Sequence, residues 1–185
     1  MGYGVSTCAV CDGFFYRGKK VAVVGGGDSA IEEALYLAKL ADSVTLVHRR
    51  EEFRASKIMQ TRVQTHPKIK LILNTEVTKL TSNEQGLTGL ELKNKSGESS
   101  LLEVDGLFMA IGHIPSTSFL KSTKGLEFDD EGYLLTLGGS TATSVPGLYA
   151  AGDVEDKLYR QAITSAGRGC QAALDIEHYL ESKKI

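Results

Sequence analysis

Val21, Ala22, Val23 and Val24 form a continuous apolar run, the signature of a short strand covered on both faces. Gly25, Gly26 and Gly27 end it at once. Beyond them Ile31, Ala34, Leu35 and Ala38 recur at i, i+3, i+4 and i+7, with Glu32, Glu33, Tyr36 and Lys39 between, which predicts an amphipathic helix. Val44 to Val47 is a second buried-type strand. Residues 52–65 predict another helix, closed by His66 and Pro67, and Ile69 to Leu73 a third strand. Residues 21–73 therefore read β-α-β-α-β, the alternation that builds a parallel sheet with right-handed crossovers. The rhythm then changes. Residues 76–81, 87–93 and 99–104 are short strands separated by the turn chemistry of Asn83–Gly86 and Asn94–Gly97, an antiparallel meander laid on the parallel unit. Leu107 to Ile111 is one more buried strand, and Gly112 to Pro115 marks a boundary.

Beyond residue 115 the pattern is looser until about 145. Gly147 to Ala151 reads as a strand ending at Gly152 and Asp153, and a last helix follows. Ala162, Ala166, Gly169, Cys170, Ala173 and Leu180 lie along one side of it, small enough to let the helix approach another backbone. Cys170, mid-helix on that side, is expected to be a buried thiol. A few strands and one helix are thin for an independent core, so residues 113–185 read as part of a domain, distinct from 1–112.

Composition narrows the classes. The 185 residues carry 21 Lys and Arg against 23 Asp and Glu, a net charge of −2, with 42% hydrophobic residues, so wholesale disorder is excluded and no basic footprint for nucleic acid exists. No apolar run is long enough for a membrane span, and no stretch reads as a signal peptide, which makes a cytoplasmic protein the expectation. Gly is the outlier at 20 residues, which suits a nucleotide-binding sheet-and-helix fold.

Gly25-Gly26-Gly27-Asp28-Ser29-Ala30 is a G-x-G-x-x-A directly after a strand and at a helix start. The first Gly allows a tight turn, the second lets backbone approach a pyrophosphate, and Ala30 keeps helix and strand close; the helix N-terminus offers N–H groups to phosphate. At the end of the second strand, where binders of NAD carry an acid, stand His48, Arg49 and Arg50, with Arg54 one turn later. Guanidinium groups grip a 2′-phosphate that an acid would repel, so NADPH is favoured over NADH. The competing reading is a solvated basic surface partly neutralised by Glu51 and Glu52.

Cys8 and Cys11 form a CxxC followed by Asp12. Such a pair can close and reopen a small disulfide ring, with Asp12 placed to pass protons. A zinc site and a pair of inert thiols are the alternatives; zinc wants four ligands, and only Cys170 and four scattered histidines remain. A hydride donor on the same chain favours redox use, and a flavin normally stands between nicotinamide and disulfide.

At this point the strings CAVCDGFFYRGKKVAVVGGGDSAIEEALYLAKLA, VHRREEFRAS, GLFMAIGHIP and SVPGLYAAGDVEDKLYRQAITSAGRGCQAALDIEHYL, in that order and over nearly the whole chain, resemble the low-molecular-weight thioredoxin reductases. The resemblance implies an α/β fold. Residues 1–112 would be a Rossmann-like NADPH domain carrying the CxxC, and 113–185 the C-terminal portion of a Rossmann-like FAD domain. It implies a homodimeric flavoenzyme passing electrons from NADPH through FAD to a Cys8–Cys11 disulfide and on to thioredoxin, with Asp12 as acid–base residue. Gly25 to Ala30 would line the pyrophosphate site, and His48, Arg49, Arg50 and Arg54 the 2′-phosphate site. Gly152 and Asp153 would face the flavin ribityl chain, and Arg160, Gln161 and Ala162 the flavin ring. The family carries a further segment of roughly a hundred residues before the CxxC, with its own glycine fingerprint for FAD, which this sequence does not show. The alternative for these 185 residues is a non-catalytic NADPH-binding module.

Overall fold

The computed structural model describes residues 2–183. They fall into two compact units that divide between Gly112 and His113.

The first unit is built on a sheet of five parallel strands in the order β1-β8-β2-β3-β4: β1 (Val5–Ser6), β2 (Lys20–Gly25), β3 (Ser43–Val47), β4 (Ile69–Ile72) and β8 (Gly106–Ala110). In register, Val23 of β2 lies between Leu46 of β3 and Phe108 of β8. Alternation along β2 explains its unbroken apolar run. Val21 and Val23 face α2 (Asp28–Leu37) and α3 (Lys57–Gln64), where Ile31, Leu37, Val63 and Phe108 close the larger core. Ala22 faces the other way, onto Val47, Leu90, Leu92 and Leu107. Leu90 and Leu92 belong to the antiparallel sheet β5 (Thr75–Asn83), β6 (Gly86–Asn94) and β7 (Ser99–Glu103), the meander expected from its turns. Burying a side chain such as Phe108 contributes about 1.5–3 kcal/mol, and its ring meets Tyr16 edge-on at 5.2 Å.

In this unit β1 and the segment before α3 differ from the sequence pattern. Strand β1 pairs with β8 through only Val5 and Ser6, too short to leave a periodic signal. The helix expected over 52–65 is only α3, and residues 49–56 form an ordered loop. Their backbone groups are committed elsewhere. Arg54 N–H donates to Gly26 O (2.8 Å), Ser56 N–H to Asp28 Oδ1 (3.0 Å), and Ala55 O accepts from Gln60 Nε2 (2.8 Å). Phe53 and Ala55 turn inward and are buried.

The second unit relies on polar ties. Its described residues contain isolated bridges, such as Ala142 to Tyr149, and one long helix, α4 (Ala162–Ser182). The strand expected at 147–151 is only that bridge, with Ala150 N–H donating to Thr141 O. Asp175 on α4 accepts from Thr141 N–H (2.9 Å), Thr141 Oγ1 (2.7 Å) and Ser140 Oγ (2.8 Å), and these bonds, led by the Thr141 backbone, lower its carboxyl to about 2. Arg168 grips Glu155 through Nε (2.5 Å) and Nη2 (2.9 Å) and also donates to Gly139 O and Ser140 O. No described residue of α4 is buried. Cys170 is therefore exposed, against the expectation, together with Ala162, Ala166, Gly169, Ala173 and Leu180. Small side chains on that face permit a close neighbour, but among the described residues the helix meets none along it. No helix among the described residues is long and apolar enough to cross a membrane.

Candidate functional site: a glycine loop, a basic loop and a disulfide

The C-terminal ends of β2, β3 and β8 open into a cleft of about 390 Å³ lined by Gly25, Gly26, His48, Arg49, Arg54 and Met109, among others. Parallel α/β sheets bind ligands at this edge, and the volume is of small-molecule size. Each glycine of the loop has its own cause. A Cβ on Gly25 would lie 2.3 Å from Ala110 O and 2.6 Å from Ala30 Cβ, so this position needs Gly for close packing against β8 and α2, rather than for a left-handed turn. A Cβ on Gly26 would lie 2.1–2.6 Å from the His48 ring. One on Gly27, the N-cap of α2, would meet nothing within 4 Å; that space is open for a ligand, and the first-turn N–H groups of α2 begin there. Ala30 is fully buried against β2, whereas Ser29 is exposed at the helix start.

The basic loop is anchored to this loop. His48 is buried, its Nε2 3.1 Å from Glu52 O and its ring stacked on Phe53 at 5.1 Å. Burial lowers its pKa below the ordinary 6.5, helped by Arg50 and Arg54, while bonds to the Glu52 and Gly25 backbone work in the opposite direction. A largely neutral imidazole thus wedges against Gly26. Arg49, Arg50 and Arg54 are exposed. None of them enters a salt bridge among the described residues, with Glu51 and Glu52 or any other acid. Their charge is available to an anion. The carboxylate of Asp28 does not face the cleft alone: Oδ1 accepts from both Ser56 N–H (3.0 Å) and Ser56 Oγ (2.9 Å).

The thiols of the first unit form a disulfide. Cys8 and Cys11, with Cα atoms 5.3 Å apart, flank the start of the short helix α1 (Ala9–Asp12). Cys11 N–H donates to Cys8 Sγ (3.1 Å). Asp12 Oδ2 accepts from Ser6 Oγ (2.6 Å), and Ser6 Oγ accepts from Cys8 N–H (3.0 Å), so one buried hydroxyl joins the disulfide backbone to the carboxylate. Burial first, then the Asp12 carboxylate, raises the Tyr16 phenol. Val10, Phe14 and Phe15 around the disulfide are exposed.

In the second unit Gly152 has a left-handed φ of +78°, and exposed Asp153 accepts from Ser165 Oγ (3.0 Å). Arg160 is also left-handed, at φ +49°. Its N–H and those of Leu158 and Tyr159 point at Asp156; burial alone would raise that carboxyl, but these bonds outweigh it and hold it low. Gln161 caps α4 in a capping box with Thr164, and Ala162 follows, exposed. Gly152, Asp153, Arg160, Gln161 and Ala162 thus meet around the start of α4. Two polar residues escaped the sequence reading. Ser6 carried no signal beyond its place two residues before Cys8. Ser56 stands at a helix N-cap, a common place for Ser, but it serves a neighbouring element instead of its own helix.

With this geometry established, comparison with known proteins gives the class. Residues 1–169 match the family described as pyridine nucleotide-disulphide oxidoreductase, and the chain belongs to it. Membership implies nicotinamide and flavin chemistry. Within the class, the chain is 51% identical over 190 residues to thioredoxin reductase of Coxiella burnetii, covering 98% of this chain and 59% of that protein. It superposes on the crystal structure of thioredoxin reductase from Streptococcus pyogenes MGAS5005 with a TM-score of 0.89 and 41% identity, covering 97% of this chain and 58% of that one. It is also 55% identical over 188 residues to a Pseudomonas fluorescens protein named glucosaminate ammonia-lyase, covering 98% of this chain and 58% of that protein. The chain thus spans a little under three fifths of the length of these relatives.

Proposed function

We propose that the chain is the dithiol- and nucleotide-bearing part of an NADPH-dependent thioredoxin-disulfide reductase. The observation that carries this reading is a single unit holding a Cys8–Cys11 disulfide together with a glycine loop and three arginines that form no salt bridge among the described residues. Gly27 and the first turn of α2 would hold the pyrophosphate, with Gly25, Gly26 and Ala30 packing the loop into shape. Arg49, Arg50 and Arg54 would hold the 2′-phosphate, and His48 would support them from beneath. In the second unit Gly152, Asp153, Arg160, Gln161 and Ala162 would face FAD. When bound, nicotinamide and flavin supply the two electrons that, with two protons, turn one disulfide into two thiols. Asp12 Oδ2, already accepting a hydroxyl proton, is the group to hold and release those protons. A cysteine thiolate of the reduced pair would then attack the disulfide of thioredoxin, the bond passing through a mixed disulfide before the second cysteine resolves it. The exposed Val10, Phe14 and Phe15 keep that approach open. We place this protein in the cytoplasm, as a homodimer in its full length.

Elimination of ammonia, the activity in the name of the Pseudomonas fluorescens relative, has no use for a disulfide and a glycine loop carried on one unit. The test is oxidation of NADPH by protein containing this chain, with FAD and oxidised thioredoxin added. The expected result is oxidation that requires both additions and falls to background in Cys8→Ser, while NADPH binding persists. NADPH binding with no thioredoxin-dependent oxidation would instead make it a nucleotide-binding module.

A further inference from the structure

The arginine loop is tied to the glycine loop by hydrogen bonds from Ser56 and Arg54. Ser56 is the N-cap of α3, where a serine hydroxyl ordinarily accepts an N–H from its own helix; here it makes no such bond. Its hydroxyl and its N–H both go to Asp28 Oδ1, 28 residues earlier, in the first turn of α2. Two residues before Ser56, the N–H of Arg54 is held by Gly26 O at 2.8 Å. The backbone carrying the Arg54 guanidinium is thus tied to the glycine loop on both sides. The same bonds turn the Asp28 carboxylate toward Ser56, where it also complements the positive end of α2.

We infer that the Asp28–Ser56 pair is a positioning device for cofactor selection: it fixes the distance between the pyrophosphate end of the site and the guanidinium that takes the 2′-phosphate. This rests on the reading of the cleft as an NADPH site. Neither residue touches the 2′-phosphate; they act through Arg54. A dinucleotide lacking that phosphate draws nothing from Arg54 and is indifferent to the tie. Any general effect on the pyrophosphate, such as release of the Asp28 carboxylate toward it, falls equally on both dinucleotides and cancels in their ratio.

The experiment is calorimetric titration of the 185-residue chain with NADPH and with NADH, compared as the ratio of Kd values. Both side chains are exposed, so the substitutions leave the core intact. In Ser56→Ala and in Asp28→Ala the preference for NADPH should fall about tenfold, the scale of one hydrogen bond to a charged group. It should be retained in Ser56→Thr, which keeps the hydroxyl, and in Asp28→Asn, which keeps an acceptor at Oδ1. An unchanged ratio in Ser56→Ala and Asp28→Ala, in a chain that does prefer NADPH, overturns the positioning role and leaves the site reading standing. Absence of any NADPH preference in the unsubstituted chain overturns the site reading, and the positioning role with it.

Discussion

The two units of this chain are stabilised by different means. In the first, Phe108, Ile31, Leu37, Leu46, Leu90 and Leu92 are fully buried, and a parallel sheet is covered on both faces. In the second, the buried apolar residues are Tyr133, Leu134 and Ala150, while Asp175, Arg168 and Glu155 tie α4 to the loops beneath it. A sheet with apolar faces gathers its own core, and a cleft follows at the strand ends. A helix held by ionic and hydrogen-bonded ties can be fixed at a few points while its length stays exposed, as Ile163, Leu174 and Leu180 do. Polar ties set orientation, but they contribute little of the hydrophobic stabilisation that large apolar burial supplies.

Damage confined to one unit should leave the other intact. Phe108→Ala should cost the first unit about 3–5 kcal/mol, as large-to-small core changes do. Arg168→Ala leaves Glu155 without its ionic partner, with only Thr136 Oγ1 among the described residues still donating to it, and should cost the second about 2 kcal/mol, reduced from the fully buried case by partial exposure. Hydrogen exchange should then show lost protection in β2 and β3 for the first variant and in α4 for the second. Loss of both sets of amides together in either variant would mean that the units are not separately stabilised.

A smaller effect distinguishes packing from binding within the first unit. Gly26→Ala drives a methyl into the His48 ring and should lower stability by about 1–3 kcal/mol. Gly27→Ala meets no protein atom, so the melting temperature should hold while dinucleotide affinity falls. Equal melting temperatures for the two variants would remove the wedge argument for His48.

Acid should produce the smallest effects, unit by unit. Asp175 has a lowered carboxyl, so its contribution is complete above its ordinary 3.8 and is lost as pH falls toward about 2. His48 is also lowered, so the folded loop is favoured above 6.5 and weakens as pH falls through the ring's lower value in the fold. Fluorescence-detected NADPH binding should therefore weaken on mild acidification, well before circular dichroism reports any loosening of α4. The reverse order would contradict both assignments.

Much of the first unit was legible because its signals are local. The apolar run at 21–24, the i, i+3, i+4, i+7 spacing at 31–38 and the Asn–Gly turns at 83–86 and 94–97 each act within a few residues, and the strands and helix they predict are present. The glycine loop and the CxxC were visible for the same reason. The cause assigned to the loop's first glycine was not: Gly25 answers to Ala110 across the sheet and not to a turn in its own segment.

The β-α-β-α-β order, the meander, the basic character of the loop after β3 and the cysteine pair three residues apart are all legible along the chain. These depend on periodicity and residue type, which the chain states locally. Long-range packing is what makes residues 49–56 a loop, wedges His48 under Gly26, turns Asp28 to Ser56, joins Asp12 to the disulfide through Ser6 and leaves Cys170 facing solvent. Each of these depends on which distant group takes a donor, an acceptor or a free volume. Helical hydrogen bonds at 49–56 lost to partners nearly thirty residues away in sequence, and a small-residue helix face stays open unless another backbone is set against it.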